Sequence, residues 1–96
     1  MRSNMTEVEH AFNGRLKGIQ EPGAPTFIEV PRTVMRWLRW GRRVRVVATL
    51  NGHSCSATIL NVGFGPAFIV SARDRAAAGI ALNDCISVVV REVQLT

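Results

Sequence analysis

Cysteine is nearly absent: Cys55 and Cys85 are the two in 96 residues, too few for the dense disulfide framework that holds small secreted domains together. No apolar run follows Arg2 to resemble a signal peptide, and the expected address is cytoplasmic. Charged or polar residues punctuate every hydrophobic segment. None approaches the roughly 18 to 20 apolar residues of a membrane-spanning helix, so no membrane partner is expected. There is no Cys-x-x-Cys, no His-x-x-x-His and no Gly-x-Ser-x-Gly, which removes the common zinc spacings and the nucleophile elbow. Acidic residues are missing most unevenly. From Pro31 to Ala72 there is none, while Arg32, Arg36, Arg39, Arg42, Arg43 and Arg45 fall there and Arg73 follows.

What is present suffices for one core. Hydrophobic residues make up 47% of the chain, which argues against disorder, and 96 residues leave room for a single small domain. Residues 1–6 are polar and without period and read as a loose tail ahead of a domain over 7–96. The net charge of +5 favours a polyanionic partner without identifying one.

From Glu7 to Lys17, Val8, His10, Phe12 and Leu16 alternate with charged or polar neighbours, the period of a half-buried strand. Gly18 and Glu21-Pro22-Gly23 break it, and Thr26 to Val30 resumes an extended stretch. Pro31 suits the first turn of a helix and Gly41 its left-handed stop, so a short helix is predicted from about Pro31 to Trp40. Asn51-Gly52 tolerates two positive φ angles and predicts a hairpin of Arg43–Leu50 with His53–Val62. In that register Val44, Val46, Ala48 and Leu50 face Ile59, Ala57, Cys55 and His53 on the core side. Gly63 to Pro66 turns the chain into Ala67–Val70. Ser71 and Asp74 then form a capping box for a helix that Gly79 ends. In the last strand Ile86, Val88 and Val90 share one face.

Part of the pattern occurs twice. Phe27-Ile28, Arg32, a short helix and Val44-x-Val46 return as Phe68-Ile69, Arg73, a short helix and Ile86-x-Val88, offset by 41 and then 42 residues. Two copies are too few for a solenoid but suit a closed or nearly closed barrel with approximate two-fold symmetry. The expected fold is therefore all-β with two short helices, a barrel of about six strands.

Phe27-x-x-Val30-Pro31, Arg43-Val44-x-Val46, Leu50-Asn51-Gly52 and the segment Arg73 to Asp84 together resemble a bacterial family of small barrel domains of unknown function. That family is often joined to the bacteriocin-protection (YdeI/OmpD-associated) domain. The resemblance runs from about Phe12 to Glu92 and implies a double-split β-barrel related to the AbrB and MazE swapped-hairpin fold. Relatives usually carry Gly-Asp where this chain has Asn83-Asp84, and Asn is the next best residue for a left-handed backbone. The resemblance implies no agreed activity.

The arginines carry the functional expectation. At about 100° per residue, Arg32, Arg36 and Arg39 lie within about 60° of one another on the predicted helix, with Trp40 beside Arg36. Phosphate backbones reward such a stripe by counterion release, and an exposed Trp can stack on an unpaired base. The expected site is Arg32, Arg36, Arg39, Arg42, Arg43, Arg45 and Trp40, binding nucleic acid or another polyanion. A plainer expectation is a solvated face whose arginines pair with Glu29, Glu7 or Glu9 while Trp37 and Trp40 plug the barrel end. An alternative function is a module that docks an acidic protein, with Trp40, Phe64 and the same arginines as contacts. A small-ligand barrel would need a cavity that so small a core can hardly spare.

His53 and Cys55 are spaced to reach one metal, with His10 or Cys85 as further ligands, but Cys55 shares the parity of Ala57 and Ile59 and reads as a small core residue. No metal, no cofactor and no catalytic role is expected: Ser54, Ser56 and Ser71 lack an elbow, Asp74 is a helix cap, and Asp84 belongs to a turn. The expected state is a monomer or weak homodimer.

Overall fold

The computed structural model describes residues 9–18, 23–36, 38, 43–61 and 65–93. Strands β1 (Glu9–Gly18), β2 (Thr26–Glu29), β3 (Arg43–Leu50), β4 (His53–Asn61), β5 (Pro66–Val70) and β6 (Cys85–Glu92) close an antiparallel barrel in the order β1-β2-β5-β4-β3-β6. Two helices, α1 (Arg32–Met35) and α2 (Ala72–Ala78), each follow a strand of the β2–β5 wall. Inward positions alternate as the pattern requires. Leu16, Ile28, Val46, Ala48, Leu50, Ile59, Phe68, Val88 and Val90 are all buried and fill the interior.

The hairpin has the expected register: Val44 pairs Ile59, Val46 pairs Ala57, Ala48 pairs Cys55 and Leu50 pairs His53. Asn51 and Gly52 take φ of 51° and 90°, the two positive values a two-residue loop needs between right-twisted strands. Helix α2 is capped at both ends. The Ser71 hydroxyl accepts the Asp74 N–H at 3.1 Å, and Gly79 closes the helix at φ 69°. Asn83 stands at φ 73°, the left-handed backbone expected of it.

Helix α1 corrects the expectation of a helix reaching Trp40. It ends at Met35, and the Leu38 N–H bonds the Met35 carbonyl three residues back. The physical reason is the lack of any local support beyond burial. Pro31 offers no side-chain cap and the first turn has no acid, so a helix this short persists only because Val34, Met35 and Leu38 pack against the core. The predicted stop at Gly41 lies outside the described residues, as do Val8, Val62 and the turn at 63–64.

The repeat is real but larger, and its first offset differs. Exchanging β1 with β4, β2 with β5 and β3 with β6 leaves every strand neighbour in the barrel unchanged, so the unit is strand-strand-helix-strand. Ile28 and Phe68 are both buried, whereas Phe27 is half-buried and Ile69 exposed, so β2 maps onto β5 with an offset of 40, not 41. An odd offset would turn one copy inside out, because side chains alternate faces along a strand. The pairs Ile28–Phe68 and Ala48–Val90 lie on opposite walls, where an approximate two-fold axis crosses the barrel.

The two-fold relation also sets where the barrel splits. β1 pairs β6 from Glu9 to Arg15 but pairs β2 only from Leu16 to Gly18. Likewise β4 pairs β3 along its length up to Leu60 but meets β5 only at Leu60–Ala67 and Asn61–Pro66. Each long strand thus parts from one neighbour, the double split that the resemblance implied.

Candidate polyanion interface

Strand registers decide which arginines share an end of the barrel. Glu29 pairs Ala67, Ala67 pairs Leu60, and Leu60 pairs Arg43, so β2 and β4 finish where β3 and β5 begin. α1 leaves β2 at that end. Arg32 and Arg36 on or beside α1, and Arg43 and Arg45 at the start of β3, are therefore brought to one end and are all exposed. Arg73 is not with them. It sits on α2, which follows the other end of β5, so the continuous basic stretch of the sequence is divided between the two ends. Arg39, Arg42 and Trp40 lie outside the described residues, as does Trp37. The expected stripe of Arg32, Arg36 and Arg39 falls partly outside the described residues, and α1 itself ends at Met35.

The expected pairing of Glu29 with these arginines is also replaced. Glu29 accepts from the Lys17 ammonium at 3.0 Å across β1 and β2. Among the described residues the ion pairs are Lys17–Glu29 and His53–Asp74, and neither takes in an arginine. Side chains that stay hydrated and unneutralised keep their full field for an incoming anion.

The opposite end holds a polar cluster that no spacing rule foretells. His53 Nε2 lies 3.1 Å from Asp74 Oδ1, and the Ser71 hydroxyl donates to Asp74 Oδ2 at 3.0 Å. His53 is the first residue after the hairpin loop and Asp74 completes the cap of α2, so the contact ties the hairpin to the helix 21 residues away. Asn51 reinforces it by donating from Nδ2 to the Ala78 carbonyl at 3.1 Å. The only sequence signal was the inward parity of His53.

This cluster shifts two titrations. The Asp74 carboxyl is held below its ordinary range, first by the hydrogen bond with His53 and further by Ser71 and the nearby charges of His53 and Arg73, against a smaller effect of burial. The Cys55 thiol is pushed up, first by burial and then by the charge and hydrogen bonding of Asp74, which favours its protonated form. Both cysteines are free, Cys55 half-buried against the core and Cys85 exposed. Among the described residues no group of three His, Cys, Asp or Glu side chains could hold a metal ion, and no helix is long and apolar enough to cross a membrane.

A pH dependence follows from Asp74. A carboxyl whose folded pKa is lowered adds stability above its unfolded pKa and loses it as pH falls through the folded value. In urea unfolding, wild type should be the more stable above the ordinary carboxylate range, about pH 5, and its advantage over Asp74→Asn should shrink as pH falls through the lowered folded value. Parallel curves over that whole range would mean that Asp74 has no such coupling.

With the geometry in place, comparison with known families gives one result. Residues 12–90 match the family described as Domain of unknown function (DUF1905), and the chain belongs to that family. A search of curated proteins finds no match.

Proposed function

We propose that this domain is a non-catalytic binding module whose α1 end takes a phosphate-rich polyanion, nucleic acid first, with little dependence on sequence. The observation that carries the reading is the convergence of Arg32, Arg36, Arg43 and Arg45 at one end, all exposed, while neither Lys17–Glu29 nor His53–Asp74 takes in an arginine. Arg39, Arg42 and Trp40 belong to the connection between Arg36 and Arg43 and complete the proposed surface, Trp40 as a stacking platform for an unpaired base. The raised thiol of Cys55 and the engagement of Ser71 in a helix cap speak against a nucleophile. The filled barrel interior speaks against a small ligand held inside it.

Fluorescence anisotropy with labelled DNA against salt tests this. If the four described arginines each meet a phosphate, log K should fall with log salt at a slope of about −3.6 on duplex DNA, and Arg36→Ala should reduce that slope by about one. Absence of binding to single- and double-stranded DNA at low salt would remove the reading.

A further inference from the structure

The two splits of the barrel are equivalent by symmetry and both open into clefts, about 330 Å³ at β1–β2 and about 280 Å³ at β4–β5, but they are lined differently. At the β1–β2 split, beside Asn13, Gly14 and Arg15, the Lys17–Glu29 ion pair ties the two strands together. At the β4–β5 split no ion pair among the described residues crosses. The strands open into a cleft of about 280 Å³ whose lining includes Ser56 and Thr58 of β4, Ile69 of β5 and Arg45 of β3. Ile69 is the exposed large apolar side chain among the described residues, with half its surface in solvent.

The backbone of β4 is open on this side. In a two-residue hairpin loop the flanking pair, here Leu50 and His53, exchanges both of its hydrogen bonds, and hydrogen-bonded pairs then recur at every second position. His53, Cys55, Ala57 and Ile59 therefore spend their amides and carbonyls on β3. Those of Ser56 and Thr58 point away from β3 into the cleft, beyond the last β4–β5 pair at Leu60–Ala67. An unpaired edge beside an exposed apolar side chain is a template for another strand.

We propose that the β4–β5 split is a strand-addition site that takes an extended acidic segment of a protein partner. The segment's backbone pairs with Ser56 and Thr58, an apolar side chain covers Ile69, and its carboxylates meet Arg45, with Arg43 beyond it on the same outward face of β3. Charge selects this occupant: Arg43 and Arg45 are exposed on the outward face of β3, and Glu29 is committed to Lys17 across the other split. A second copy adding its own β4 edge through a two-fold contact would bring the two copies' arginine-bearing rims together, which like-charge repulsion opposes. The inference does not rest on polyanion binding: the two surfaces share Arg43 and Arg45, but Ser56, Thr58 and Ile69 belong to the cleft alone.

The test uses the full chain labelled with ¹⁵N and two peptide probes, one alternating glutamate with valine and one alternating lysine with valine. The acidic probe should bind at least about tenfold tighter and should shift the amides of Ser56 and Thr58. Thr58→Pro removes the donor aimed into the cleft while sparing the β3 ladder, and should weaken the acidic probe by about tenfold or more. Ile69→Lys, at an exposed position that leaves the core intact, should do the same. Equal affinity for the two probes, no binding of either, or an unaltered affinity in Ile69→Lys would overturn the proposal. So would oligothymidylate shifting the Ser56 and Thr58 amides in place of the peptide, which would assign the cleft to nucleic acid.

Discussion

Replacing Phe68 with alanine is expected to cost about 3–5 kcal/mol, whereas Ile69→Ala, its chain neighbour, should change stability by less than about 0.5 kcal/mol. Phe68 is among the largest fully buried side chains and lies on the barrel wall opposite Ala48 and Val90, so its removal leaves a cavity that the closed sheet cannot collapse into. Ile69 points outward from the same strand. The matching pair is inverted in the other half: Ile28→Ala should cost about 2–5 kcal/mol, and Phe27→Ala clearly less because Phe27 is only half-buried. For a domain of this size, whose total stability is about 5–14 kcal/mol, the Phe68 variant would lose a large fraction of its folded population at moderate denaturant. Guanidinium titrations of the four variants settle the order. Equal costs for Phe68 and Ile69 would refute the even offset between the halves.

Gly14→Ala should destabilise by about 1–3 kcal/mol, although alanine is otherwise the better strand residue. Gly14 has the inward parity of Phe12 and Leu16, and a β-carbon there would stand 2.8 Å from Ile28 Cγ2 and 3.1 Å from Val88 Cγ2. Neither methyl can step aside, since each is on a branched side chain buried in the wall. The clash therefore outweighs the loss of chain entropy that favours alanine. Combining Gly14→Ala with Ile28→Ala should cost less than the two single changes added together, because the second removes the methyl that the first strikes. Strict additivity in denaturant unfolding would show that the contact does not set the penalty.

Legibility followed the range of the interaction. The Asn51-Gly52 hairpin and the Ser71–Gly79 helix were readable because their determinants sit within the element: two positive φ angles, a hydroxyl on an orphan amide, a glycine at the left-handed end. Helix α1 is shorter than expected because its proline and its apolar spacing are compatible with a helix that only packing sustains, here that of Val34, Met35 and Leu38. The repeat was visible, but its offset slipped by one because Phe-Ile matches Phe-Ile by identity while the fold matches Ile28 to Phe68 by face. The proposed site was legible as a list of arginines and not as a place.

By itself the chain's order of residues determined an all-β core, its alternating faces, one hairpin register and one capped helix, since all of these depend on neighbours a few positions apart. Tertiary structure alone decided that Arg73 leaves the basic cluster, that Lys17 neutralises Glu29, that His53 meets Asp74, and that the β4–β5 split opens beside Ile69. Those outcomes depend on which strand ends the closed barrel brings together, and barrel closure is a property of all six ladders at once.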